Sequence, residues 1–192
     1  MSRIYAEANA YADDVGGVEN GMNILYTPPR LHPRLMVISM QGAGDDGVRQ
    51  VRWPERNQYA VSSYGFGKRM TADFDDAGMA GLFRLETVAT NLAFAQAKHF
   101  DKWRRTPVGK GWLERSRNWL DELIALMAPR VLLTYGSPPF EALTGSHKAG
   151  GQLAEATYCG SPLVGCSHYS RNAATPEERR AAMGRIRELT GP

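Results

Sequence analysis

The chain is poor in the residue types that build cross-linked, metal-bound or membrane-embedded proteins. It has two cysteines and four histidines in 192 residues. Cys159 and Cys166 make neither a disulfide framework nor a CxxC pair, and the histidines lie far apart, so zinc of ordinary ligand spacing is excluded. An iron–sulfur cluster would need four cysteine ligands. No run approaches the roughly 18 consecutive apolar residues of a membrane-spanning helix. The first seventeen residues carry Glu7, Asp13 and Asp14 and lack the basic start and apolar stretch of an export signal. Nor does one charge dominate: Lys and Arg number 23 against 20 Asp and Glu, a net charge of +3. That balance permits a polyanionic partner without demanding one. These absences lead us to expect a reduced, soluble, cytoplasmic protein that binds no membrane, metal or cofactor.

What is present reads as one folded domain over residues 1–192, with 43% hydrophobic and 22% charged residues. Residues 34–40 form an apolar strand, entered through Pro28, Pro29 and Pro33, which disfavour helix before it. It runs out into Gln41-Gly42-Ala43-Gly44-Asp45-Asp46-Gly47, whose glycines let the backbone approach a ligand while the polar side chains line it. Residues 48–83 show no sustained period and read as a long excursion with one helical turn. A second strand over 83–90 leads into Asn91 and Leu92. A helix starting near Gly111 puts Trp112, Trp119, Leu120, Leu123, Ile124 and Met127 on one face and stops before Pro129. A third strand at 130–135 leads into a short helix at 140–143, with Pro138 and Pro139 suited to its first turn. A fourth strand at 162–166, paired with 156–159, exits into Ser167-His168-Tyr169-Ser170-Arg171-Asn172. The last helix has Thr175 as N-cap, Pro176 first, Glu178 closing a capping box, and Ala182, Met183, Ile186 and Leu189 inward.

This alternation predicts an α/β protein with three α/β/α layers around a mostly parallel four-stranded sheet, residues 1–33 packing on it as an N-terminal extension. Ligands of such sheets bind beyond the carboxyl ends of the strands, where Gln41, Asn91 and His168 all fall. The two amides both donate and accept, and histidine titrates near neutrality. The set suits an uncharged planar ligand such as a nucleobase edge, with a ring from Tyr59, Tyr64 or Phe66 stacked on its face, Phe66 being preferred. Each residue also has a plain structural role open to it: Asn91 capping a turn, His168 a satisfied buried histidine, Gly42 and Gly44 a tight turn. The most basic stretch, from Lys98 to Arg117, includes Lys102, Arg104 and Arg105 and is either a solvated face or a DNA contact. Trp103 and Trp112 within it read as packing residues. Gly65, Gly67 and Lys68 lack the remaining parts of a P-loop, and no G-x-S-x-G elbow exists.

Four features in this order resemble the uracil-DNA glycosylase superfamily over residues 34–189: the Gln- and Gly-rich loop after the first strand, Thr90-Asn91-Leu92 after the second, the Pro129 to Gly136 strand after a long helix, and the His168-Tyr169-Ser170 triplet. The resemblance implies a DNA partner, flipping of an altered base out of the stack and hydrolysis of its N-glycosidic bond. It implies that Asn91 reads the base edge, that His168 stabilises negative charge on the departing base, and that Ser170 contacts phosphate. Gln41 matches the second position of the family's first loop. Gly42 stands where the most active members carry a water-activating aspartate, Ala43 where most carry proline, and Tyr169 replaces the proline of His-Pro-Ser. Asp45 or Asp46 is the candidate replacement carboxylate, and Arg171 with Asn172 stands where a wedge residue would follow. The alternatives are a nucleobase- or DNA-binding module of the same fold without hydrolysis, and a hydrolase of free nucleotides.

Overall fold

The computed structural model describes residues 1–41, 47–61, 64–169 and 174–191. Its sheet is built from β1 (Leu35–Ser39), β2 (Thr87–Asn91), β3 (Leu132–Tyr135), β4 (Ala154–Tyr158) and β5 (Ser161–Cys166), in the order β2-β1-β3-β5-β4. Four strands are parallel and β4 runs antiparallel to β5. The sheet thus has five strands where the sequence reading has four: the segment that reads only as a partner of the fourth strand is itself the edge strand. Its half-exposed alternation contrasts with β1, which is buried at every position. A central parallel strand is covered on both faces, which is why Leu35-Met36-Val37-Ile38 is continuously apolar.

Alternate residues of the strands feed two cores. Met36, Ile38, Val88, Leu132 and Leu163 pack with α1 (Ser2–Val15), α5 (Pro107–Met127) and α6 (Ser137–Thr144). Leu35, Val37, Ala89, Leu133 and Val164 pack with α2 (Gly65–Asp76), α3 (Ala80–Leu85) and α7 (Pro176–Thr190). The one-turn α4 (Phe100–Trp103) precedes α5. Two helices therefore occupy the stretch that reads as an excursion with one helical turn, and α3 takes residues 83–85, which read as the start of the second strand. Each helix is short, and Gly65 and Gly67 in α2 and Gly81 in α3 dilute their apolar positions. The N-terminal segment is built into the fold, with Ile4, Tyr5 and Ala8 buried and Tyr11 edge-on to Trp112 at 4.9 Å. Residues 22–26 run beside the free edge of β2, Tyr26 N–H donating to Ala89 O at 2.8 Å.

Local chemistry sets the ends of α5 and α7. Thr106 caps α5 by accepting from Gly109 N, and Thr175 caps α7 by accepting from Glu178 N, each followed by proline. The Glu178 carboxylate does not close a capping box; it turns inward to Ser167 N and Lys148 Nζ. Gly109 is required by close approach, since a Cβ there would lie 2.1 Å from Trp103 O. Among the described residues no helix is long and apolar enough to cross a membrane.

Candidate functional site

The first strand connects to β2 on one side and the chain then crosses to β3 on the other, so the order reverses between β1 and β3. The carboxyl ends at such a reversal form the crevice of open α/β sheets. Parallel register brings Ser39, Asn91, Tyr135 and Cys166 to this one edge, Ser39 opposite Asn91 and Tyr135 opposite Cys166. Ser167, His168 and Tyr169 follow directly, and the first turn of α2 brings Phe66 over them.

Phe66 lies flat on the His168 ring, with centroids 4.8 Å apart and planes at 6°. It meets Tyr59 and Tyr135 edge-on, both at 5.5 Å. Tyr59 stacks in turn on Tyr26, at 4.8 Å and 15°. Asn91 is fully buried. Its Oδ1 accepts from the Ser39 hydroxyl and its Nδ2 donates to the Tyr26 hydroxyl at 2.8 Å. Gln41 sits on the same edge but clamps the chain beyond β2, donating to Ala97 O at 3.1 Å and accepting from Ala97 N at 3.2 Å.

His168 is held from both sides. On one, Ser167 N donates to Glu178 Oε1 at 2.8 Å, and Ser167 Oγ accepts from Lys148 Nζ and Gly151 N, each at 3.0 Å. Lys148 and Glu178 form an ion pair at 3.0 Å with both side chains wholly buried. On the other, Tyr169 donates its hydroxyl to Asp73 Oδ2 at 2.7 Å and lies 2.9 Å from the Tyr135 hydroxyl, while its carbonyl accepts from Arg69. Asp73 also pairs with Arg179 at 2.7 Å. A buried phenol thus anchors the residue that follows His168.

Burial sets the protonation of the cluster. It lowers the His168 pKa below its ordinary value, so the imidazole is neutral at pH 7. It raises the Tyr59, Tyr135 and Tyr169 phenols well above theirs, which keeps all three protonated and able to donate. It also pushes the Cys166 thiol up to about 12.

No protein-family model and no curated protein matches this chain.

The residues singled out in the sequence are distributed as follows. Phe66 and His168 touch, and Asn91 joins them through Tyr26 and Tyr59. Lys102, Arg104 and Arg105 are exposed around the α4–α5 connection, Arg104 pairing with Asp101 at 3.2 Å. Because α5 must return across the sheet to start β3, its first turn lies toward the carboxyl edge. Farther along, Arg117 turns inward to Asp121 and Tyr158, so the basic stretch is not one continuous face. Gly42, Asp45, Asp46, Ser170 and Arg171 lie outside the described residues. Among the described residues no group of three His, Cys, Asp or Glu side chains is arranged to hold a metal ion.

Tyr26, Ser39, Tyr135 and Lys148 escape the sequence reading as site residues, and Glu178 is read there only as part of a helix cap. Ser39 and Tyr135 carry a usable signal, since each ends a strand of a sheet already read as parallel. Lys148 carries none, because a single lysine between glycines reads as a solvated loop. A separate cleft of about 610 Å³ lies between α1 and residues 49–53, lined by Tyr5, Asn9, Arg49, Arg52 and Trp53, and shares no residue with this cluster.

Proposed function

We propose that this chain is a uracil-DNA glycosylase-like protein that removes a deaminated or otherwise altered base from DNA by hydrolysing its N-glycosidic bond. The observation that carries the reading is the convergence of Asn91, Phe66 and His168, from three distant parts of the sequence, on the carboxyl edge of the sheet. Asn91 would recognise the base edge through its amide. His168, neutral at pH 7, would donate an N–H to the base oxygen that gains negative charge as the C–N bond breaks. A preorganised donor of this kind, in a site that excludes water, is worth about 10² to 10³ in rate. The exposed Lys102, Arg104 and Arg105 would meet the phosphate backbone.

A binding module without hydrolysis is the second reading, and one observation favours it. Of the two carboxylates that the described residues bring to the cluster, Asp73 is committed to Tyr169 and Arg179, and Glu178 to Lys148 and Ser167 N. Gly42 supplies no replacement, which leaves activation of water to Asp45 or Asp46.

Base release from single- and double-stranded oligonucleotides bearing uracil, hypoxanthine or xanthine separates the two. The excision reading requires release from at least one substrate and a loss of about 10² or more in His168→Ala. Tight, salt-sensitive binding with no release on any substrate supports the module instead.

A further inference from the structure

The asparagine assigned to read a base is enclosed, and one of the protein's own rings already sits beside it. Tyr59 is held between aromatic neighbours, stacked on Tyr26 at 4.8 Å and edge-on to Phe66 at 5.5 Å. Its hydroxyl faces Ser39, whose own hydroxyl donates to Asn91 Oδ1. Tyr26, beneath the Tyr59 ring, bonds the other end of the same amide at 2.8 Å. A six-membered ring thus has its face on an aromatic surface and its polar edge one hydroxyl away from an asparagine. A planar heterocycle needs the same two things from a site.

The backbone beneath Tyr59 is fixed independently of the ring. Asn57 Oδ1 accepts from Tyr59 N at 3.0 Å and Ala60 N at 3.2 Å, and Asn57 Nδ2 donates to Phe83 O at 2.8 Å. Tyr59 belongs to no helix or strand. Rotation about its side-chain bonds removes the ring without breaking either kind of element.

Resting on the base-site reading above, we propose that Tyr59 is the resident occupant of the site and determines what the site admits. A planar heterocycle with a carbonyl edge enters by displacing the Tyr59 ring from Tyr26 and taking its place beside Ser39. Apparent affinity is then reduced by the fraction of molecules in which the ring is out.

The test is equilibrium dialysis of uracil and hypoxanthine against the wild-type chain and the variants Tyr59→Ala, Tyr59→Phe and Tyr59→Ala with Asn91→Ala. Losing the stacked pair predicts a gain of about two- to tenfold for Tyr59→Ala. Tyr59→Phe, which keeps the stack and removes only the hydroxyl, gains less than Tyr59→Ala, and the added Asn91→Ala removes the gain. A folded Tyr59→Ala that binds neither base more tightly than wild type overturns the proposal. If that variant does not fold, absence of any gain in Tyr59→Phe does so. Base release measured on the same proteins keeps the two readings apart: tighter binding without release upholds the role of Tyr59 and removes excision, whereas release without tighter binding does the reverse.

Discussion

Replacing Lys148 by methionine removes one half of an ion pair that no water reaches. Both side chains of the Lys148–Glu178 pair are wholly buried, 3.0 Å apart, and Glu178 Oε2 already lacks a partner. In Lys148→Met the buried carboxylate keeps only the Ser167 N–H bond. An uncompensated buried charge of this kind costs about 3–5 kcal/mol. For a domain of this size that is a fall in melting temperature of about 6–20 °C. Replacing Glu178 by leucine as well removes the stranded charge and recovers part of the loss, leaving about 1–3 kcal/mol because Ser167 N–H is unpaired. Urea denaturation of the wild type and both variants, with the m-value checked for constancy, measures these differences. A Lys148→Met variant within about 1 kcal/mol of wild type would show that Glu178 is not a buried charge held by Lys148.

Two further predictions follow from burial. The folded state resists protonation of His168 while the unfolded chain accepts it at the ordinary value of 6.5. Stability therefore falls as pH drops through 6.5 and levels off below the folded pKa, and His168→Gln flattens that slope in melts between pH 5 and pH 8. Cys159 is exposed and Cys166 buried with its thiol pushed up to about 12. Mass spectrometry after brief iodoacetamide treatment at pH 8 should find Cys159 alkylated and Cys166 labelled only in denaturant; rapid labelling of Cys166 in the native protein would contradict its enclosure.

The layered fold is legible in the sequence where an element is long or wholly buried. The apolar Leu35–Ile38 run, the face from Trp112 to Met127 and the Thr175-Pro176 start of α7 each carry one unambiguous local signal. The short α2 and α3 do not, because glycines interrupt their spacing and tertiary packing supplies what local preference lacks. The edge strand β4 alternates strictly, but over five residues and on two small alanines, so its apolar signal is slight and it reads as an appendage of β5. For the site, the positions of Asn91 and His168 at strand exits are visible from the chain alone. The partners that hold them are not: Lys148 and Glu178 meet only through the fold. Tyr59 looks like any loop tyrosine until Tyr26 is found beneath it.

The proposed function places a nucleobase at the carboxyl edge of the sheet, between β1 and β3. A titration of the ¹⁵N-labelled protein with uracil or hypoxanthine, followed by NMR with the Asn91 side-chain amide and the His168 ring assigned, detects it there. Saturable shifts of both signals are expected, together with residues around Tyr26, Tyr59 and Phe66. Shifts confined to the cleft between α1 and residues 49–53, around Tyr5 and Trp53, would contradict it, as would no response at the sheet edge.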